Sequence, residues 1–354
     1  MLRIKIEKLE KFCETALISE GMPKENAKTV ATVLVETDAL GTNSHGTKNL
    51  HNYIRKMRAG GLSIDGEAEI IKEGQAFAIV DAHNTLGMIP SCFAMDVATK
   101  KAKETGIAIV SVRNSSHFGA ASYYSNMAAK EGLMGITFSN VDPNMSVPGS
   151  RGMLIGNNPF SYAVPAKSTP TIFLDIAMSN VASLKVIQAR NDGESIPDSW
   201  IVDKDGIPTT DPSNYPDEGA MQPFARHKGY GIALLVDLIT GGLNGGAMSM
   251  SGGIVSWLFQ MEAKNNVSHT FIAIDPDAFV GREKFLDSVE KAAEALRGAD
   301  KAKGSDRIYT PGEMEWERYA DAEANGIVLP PDLYESLKGL SDELDIELEV
   351  INNE

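Results

Sequence analysis

The chain has 354 residues, 43% of them hydrophobic and 23% charged, which is enough apolar material for a substantial core and one large or two medium domains. Lys plus Arg number 33 against 48 Asp plus Glu, a formal charge of −15 at pH 7 that argues against binding nucleic-acid backbones or anionic membranes. Cys13 and Cys92 are too few for a disulfide framework or a thiolate metal site.

The first ten residues alternate charge and carry no apolar signal core. No run approaches the roughly 18 apolar residues of a membrane helix. A soluble protein of the cytoplasm is the expectation. Leu9, Phe12, Ala16 and Leu17, and after Pro23 the residues Val30, Val33 and Leu34, recur at helical spacing and predict two amphipathic helices. After a polar break at Gly41–Gly46, Leu50, Tyr53, Ile54 and Met57 predict a third helix that stops at Gly60-Gly61, with Ser44 placed to cap it.

From about residue 68 the period changes. Glu69–Lys72 and Phe77–Val80 read as strands around Gly74, and Pro90–Thr105 reads as a helix. Strands follow at 107–112 and 134–139 with a helix at 120–131 between them, then β-like runs at 162–164, 171–174 and 271–274. Gly231–Leu243 is an apolar helix, Met248–Gly253 reads as a mobile loop, and helical patterning returns from Glu283 before an acidic stretch at 342–349. No internal repeat is visible.

The segment Ile107–Tyr124 carries the strongest chemical signal. A strand-like run ends in the turn Asn114-Ser-Ser-His-Phe-Gly119, and a helix follows. That turn sets His117 on a rigid scaffold at a helix amino end, and histidine has the one ordinary pKa suited to proton transfer near neutrality. His45 lies in a similar setting. A surface or capping histidine is the plain reading for either alone. None of the six histidines forms a His-x-x-x-His or His-Glu-x-x-His pair, so no metal site is expected. Gly156-Asn-Asn-Pro159 is a turn or a loop approaching a cofactor, and Lys228-Gly-Tyr-Gly231 opens a helix where amides and dipole favour a phosphate. No Gly-x-Gly-x-x-Gly follows a strand, and neither Gly-x-Ser-x-Gly nor a phosphate loop occurs, so hydrolase and kinase readings lose their simplest support.

Together with Ser44-His-Gly46, Asp175-Ile-Ala-Met-Ser179, Ile196-Pro-Asp-Ser-Trp200, Pro208–Pro212 and Tyr309-Thr-Pro-Gly312, these landmarks resemble the type-2 malate/L-lactate dehydrogenases. That family includes ureidoglycolate and sulfolactate dehydrogenases, 2,3-diketogulonate reductase and cyclic imino-acid reductases. The resemblance runs over nearly the whole chain, and the order and spacing of the landmarks carry it.

The resemblance implies an α/β (α+β) fold distinct from the standard dinucleotide-binding domain. Residues 76–304 would form an NAD(P)-binding domain with a largely antiparallel sheet and helices. Residues 1–75 and 305–354 would form a helical subdomain built from both termini, in a homodimer. It implies NAD or NADP, a small-molecule substrate, and neither nucleic-acid nor membrane partners. By motif match, the cofactor would meet Asn140, Val141, Asp175, Ile176, Ala177, Lys228, Gly229, Thr310, Pro311, Gly312 and Glu313. Substrate would lie against Ser44, His45, Asn49 and His117. The implied chemistry is hydride transfer from or to a carbon bearing a hydroxyl beside a carboxylate, with a histidine moving the hydroxyl proton. His117 is favoured as acid/base, His45 supported by Ser44 is the polarising partner or alternative donor, and Asp175 orients an imidazole or caps the cofactor loop. Reduction of a cyclic imino acid or diketo sugar acid is the second reading, and a binding protein that has lost turnover is a third.

Two departures matter. The family commonly has arginine where this chain has Leu40 and Asn49, and the second is the implied clamp for a substrate carboxylate, which an amide does not replace. Lys48 is adjacent but points elsewhere on a helix, leaving Arg55 or Arg113 as substitutes. Leu184 stands where the family often has glycine, and a few extra residues precede Lys228.

Overall fold

The computed structural model describes residues 2–352. In chain order its elements are β1 (Leu2–Ile4), α1 (Ile6–Ser19), α2 (Lys24–Ala39), α3 (Leu50–Arg58), β2 (Glu69–Glu73), β3 (Phe77–Asp81), α4 (Met88–Thr105), β4 (Ile107–Ser115), α5 (Ala121–Lys130), β5 (Met134–Ser139), β6 (Phe160–Pro165) and β7 (Thr171–Ile176). There follow α6 (Ser183–Asp192), β8 (Ile201–Val202), β9 (Pro208–Thr209), β10 (Ala220–Met221), α7 (His227–Asp237), β11 (Val267–Ile274), α8 (Arg282–Arg297), α9 (Glu313–Asn325), β12 (Ile327–Val328), α10 (Pro331–Leu344) and β13 (Ile351–Asn352).

Seven strands form one sheet in the order β2-β3-β4-β11-β5-β6-β7. Only β3 and β4 pair in parallel, the step bridged by α4, and every other neighbouring pair is antiparallel. The sheet is therefore largely antiparallel, as the resemblance implied. Strand β11 is central, and α4 packs on β4 and β11 while α5 packs on β5 and β6. A widened π-type turn at Leu238–Gly242, which continues α7, also contacts β11. The free edge is β2, whose exposed Glu69, Lys72 and Glu73 keep it from pairing with another chain.

Helix α1 turns Leu9, Phe12, Cys13, Ala16 and Leu17 to one buried face, and α2 meets it with Val30, Ala31 and Leu34. These residues join the core that α4 and α5 form against the sheet. The chain ends meet as well, because β1 lies between β12 and β13, both antiparallel to it. A second small sheet, β10-β8-β9, closes a separate core around Met145, Ile155, Met178 and Tyr215.

Three local expectations are corrected. Ser44 does not cap α3: the α3 boundary falls at Asn49, and the Ser44 hydroxyl lies against His45 instead. The segment Met248–Gly253 is an ordered turn, since the Ser249 amide and hydroxyl both donate to Asp237, at 2.9 and 3.1 Å. Helix α7 begins at His227, one residue before the Lys228–Gly231 segment expected to open it and four before the apolar run.

Candidate active site

The carboxyl end of β4 delivers His117 into a turn whose next element is α5. Tyr53, buried on α3, places its hydroxyl 2.6 Å from His117 Nδ1, which leaves Nε2 as the ring nitrogen for a ligand. The imidazole is sandwiched. Trp257 stacks on it at 4.4 Å between centroids and 18° between planes, and His45 lies at 5.6 Å and 30°. Loss of water, with the neighbouring His45 and His269, holds the His117 pKa well below its ordinary value, so the ring is neutral. Behind it, fully buried His269 bridges the Ser139 and Ser115 hydroxyls at 2.9 Å each, stacks on Phe118, and is pushed down to about 3 by burial. His269 is a satisfied core histidine.

His45 stands in a short 3-10 turn, Asn43–His45, with Ser44 Oγ 2.9 Å from its Nδ1. Its surface is open, yet surrounding protein lowers its pKa by desolvation while the charge of Asp175 opposes that fall. Asp175, at the carboxyl end of β7, accepts a bond from the Ser122 amide at 2.7 Å and so also caps the start of α5. Its own pKa is raised by burial and held back by the Ser122 bonds and by His45.

The turn that carries Ser44 and His45 is held from below by Asp38, which the sequence reading did not single out. This carboxylate, 3% exposed, accepts from the Thr47 amide at 3.0 Å, the Thr47 hydroxyl and the Asn43 side chain at 3.1 Å. Burial pushes Asp38 up to about 6 against those three bonds. Gly46 permits the approach, since a Cβ there would lie 2.0 Å from Asp38 Oδ1.

Asn49 is buried, and its amide donates to the Ser44 carbonyl at 2.9 Å, so it braces the turn rather than facing outward. Neither substitute cation is ready to act as a carboxylate clamp. Arg113 donates to Asp81 at 3.2 Å, and Arg55 is exposed about two-thirds of a turn round α3 from Asn49.

The remaining predicted residues fall into four places. Asn140 is fully buried, bonded to Asp237, the Ala247 carbonyl and the Ser268 amide, and the Val141 amide donates to Asn158 at 3.1 Å. Their side-chain and backbone groups are spent on shaping the loop. Ile176 and exposed Ala177 continue β7 beyond Asp175. Thr310, Pro311, Gly312 and Glu313 form a turn locked to β7 by a bond from the Phe173 amide to the Pro311 carbonyl. There Glu313 accepts from the Thr310 amide and hydroxyl, Arg297 and Arg307. Burial alone would raise its pKa, but those donors take it down to about 2. Among the described residues, no hydrogen bond joins this turn to either site histidine.

Lys228 is exposed at the start of α7 beside exposed Arg226 and His227, with no acidic residue in the first turn and no ion pair among the described residues. The Lys228 and Gly229 amides already donate to Ala225 and Phe224 carbonyls, correcting the expectation of free amides there. The basic side chains and the helix dipole nonetheless fit a pyrophosphate. Among the described residues, no group of three or more His, Cys, Asp or Glu is arranged to hold a metal ion. Tyr53, Asp38, Lys56 and Trp257 are the participants that sequence reasoning missed; only Tyr53, one turn beyond Asn49 on α3, had a readable spacing.

A profile of the family described as Malate/L-lactate dehydrogenase matches residues 4–338. The L-sulfolactate dehydrogenase of Methanocaldococcus jannaschii is 34% identical over 346 residues, 98% of both chains. The NAD(+)-dependent ureidoglycolate dehydrogenase of Escherichia coli K12 is 32% identical over 95% of both. The solved structure of sulfolactate dehydrogenase from M. jannaschii superposes with a TM-score of 0.89, covering 98% of each chain at 33% identity. The (2R)-3-sulfolactate dehydrogenase of Chromohalobacter salexigens, 33% identical over 83% of this chain and 86% of its own, is named for NADP(+). On these matches, and with its paired histidines and mixed sheet, this chain belongs to the malate/L-lactate dehydrogenase family.

Proposed function

We propose that the chain is an NAD(P)-dependent oxidoreductase interconverting a small 2-hydroxy acid and its 2-oxo counterpart. The observation that carries this is the facing pair His45 and His117, 5.6 Å apart, each with Nδ1 already engaged. That leaves an Nε2 on each ring as the nitrogen free to bind a hydroxyl or carbonyl oxygen. Nicotinamide, when bound, supplies the hydride acceptor or donor.

His45 moves the proton in this reading, a shift from the sequence preference for His117. General acid/base catalysis favours a pKa near the working pH, and Asp175 supports the protonated form of His45. His117, desolvated and neutral, holds the same oxygen by a hydrogen bond while Tyr53 fixes its orientation. Lys228, with Arg226 and His227, binds cofactor phosphate. Asn140 and Val141 and the Thr310–Glu313 turn shape the walls from behind.

Buried Asn49 favours a substrate that does not depend on a bidentate carboxylate clamp in this subunit, which keeps cyclic imino acids and diketo sugar acids as the second substrate class. Exposed Ile232, Leu235, Leu238 and Leu243 form an apolar face along α7 and its extension, and a homodimer is the assembly that would cover it. Two free thiols, Cys13 and Cys92, suit a reducing cytoplasm.

The test is reduced-nicotinamide absorbance with NADH and NADPH against glyoxylate, pyruvate, oxaloacetate, oxalurate, sulfopyruvate, diketogulonate and cyclic imines, with the reverse direction alongside. Turnover of a 2-oxo acid is expected. Silence across the panel with cofactor binding intact would overturn the reading.

A further inference from the structure

Residues 254–263 run across the site without helix or strand, and Trp257 lies midway along them. Trp257 stacks on His117 and, at 5.3 Å and 28°, on Tyr53. Ring contact alone does not hold this strap, since Phe259 is 75% exposed and Gln260 and Glu262 are exposed beside it. Between residues 256 and 263, the strap's hydrogen bonds to the rest of the described molecule all come from one side chain. Lys56 Nζ donates to the carbonyls of Gln260 at 2.8 Å, Met261 at 3.3 Å and Ala263 at 2.7 Å.

We infer that Lys56 is a positioning residue, acting through these three carbonyls to keep Trp257 flat against His117 as a wall of the substrate site. Lys56 is 1% exposed and makes no ion pair among the described residues, so its three ammonium protons match the three carbonyls one for one. A buried ammonium without a carboxylate is costly, and burial accordingly lowers its pKa. An apolar side chain would fill the space without that cost, so what the charge contributes is the strap. Gly61 makes the room. A Cβ there would meet the Met261 carbonyl at 2.1 Å and Lys56 Nζ at 2.9 Å. Tyr53 and Lys56 are three residues apart on α3, so one face of this helix bonds both His117 and the strap that carries its stacking partner.

The inference rests on the proposal that His117 faces substrate, and its test carries a readout independent of turnover. Lys56→Met, Lys56→Arg, Trp257→Ala and the double variant Lys56→Met/Trp257→Ala are compared as full chains. Hydrogen exchange over 254–263 is followed without substrate, and KM and kcat with it. Lys56→Met is expected to speed exchange of the strap by about tenfold while α3 stays protected, the loss of charge-assisted bonds setting the scale. KM should rise by a similar factor, with kcat changing little. Lys56→Arg should restore most of both, and the double variant should be no worse than Trp257→Ala. Unchanged exchange in Lys56→Met, loosening spread through α3, or additive losses would each overturn the inference. Should Lys56→Met not fold, Lys56→Gln is read the same way, and failure of both while Lys56→Arg folds would count against it. If the wild type shows no turnover, the exchange result still decides for or against Lys56 while the functional reading fails separately.

Discussion

The Tyr53 hydroxyl lies 2.6 Å from Nδ1 of His117, so a phenol on α3 sets the orientation of an imidazole presented by the β4–α5 turn. Burial raises the Tyr53 pKa well above its ordinary value, so it stays a neutral phenol able to donate or accept as the ring's tautomer requires. Tyr53→Phe should keep the fold, because the ring remains in the core, and lower kcat by about tenfold, the scale of one net hydrogen bond. Steady-state kinetics on the variant checks this, and an unchanged kcat would remove Tyr53 from the site's working parts.

Asp175 bears on the acid limb of the pH profile. Desolvation lowers the His45 pKa and the Asp175 charge raises it. Asp175→Asn therefore lowers it further, and the limb of kcat/KM that reports His45 ionisation should move to lower pH. Because the imidazolium formed in oxidation loses its counter-charge, kcat should fall by about tenfold or more. A limb that stays in place, or moves up, contradicts the pairing.

Asp38 gives a stability prediction of unusual sign. Its folded pKa of about 6 is above the ordinary 3.8, so the folded state binds the proton more tightly than the unfolded chain does. Stability from this group is present at low pH and declines as pH rises from about 4 through about 6. Across that whole window the decline amounts to roughly 3 kcal/mol. Asp38→Asn keeps an acceptor for Thr47 and removes the charge, and should flatten the denaturation midpoint against pH across that window. Denaturant melts at several pH values check it, and an equally steep decline in the variant would mean another group is responsible.

Asn49→Arg tests the missing clamp. The guanidinium would leave the Ser44 carbonyl unpaired while offering two parallel donors beside His45. KM for simple 2-hydroxy acids should fall by about tenfold if the lost clamp governs specificity, the gain of one charge-assisted pair. No change, or a rise in KM, would show that substrate is held elsewhere.

Where burial follows a period, the sequence was readable. Strands β2 through β7, helices α1 to α5 and the central β11 were legible because apolar residues recur at two or at three to four along them. Helix α6 escaped because it buries only Val186, and the two-residue strands of the small sheet are too short to show a period. At the site, the Ser44-His45 and His117 turns were legible as polar breaks before helices. Asp38 was not, because a carboxylate inside an amphipathic helix reads as a solvated face until the turn folds down on it. Lys56 was hidden for the same reason. Trp257 belongs to a stretch without periodicity, and only the folded path of the chain brings it, 140 residues on, against His117.

The central claim is that His45 and His117 together hold and protonate the reacting oxygen. The most direct measurement is steady-state nicotinamide oxidation by the wild type beside His45→Ala and His117→Ala, with cofactor affinity titrated for each. Both variants should lose about 100-fold or more in kcat while binding cofactor as the wild type does. Wild-type rates in either variant would contradict the account.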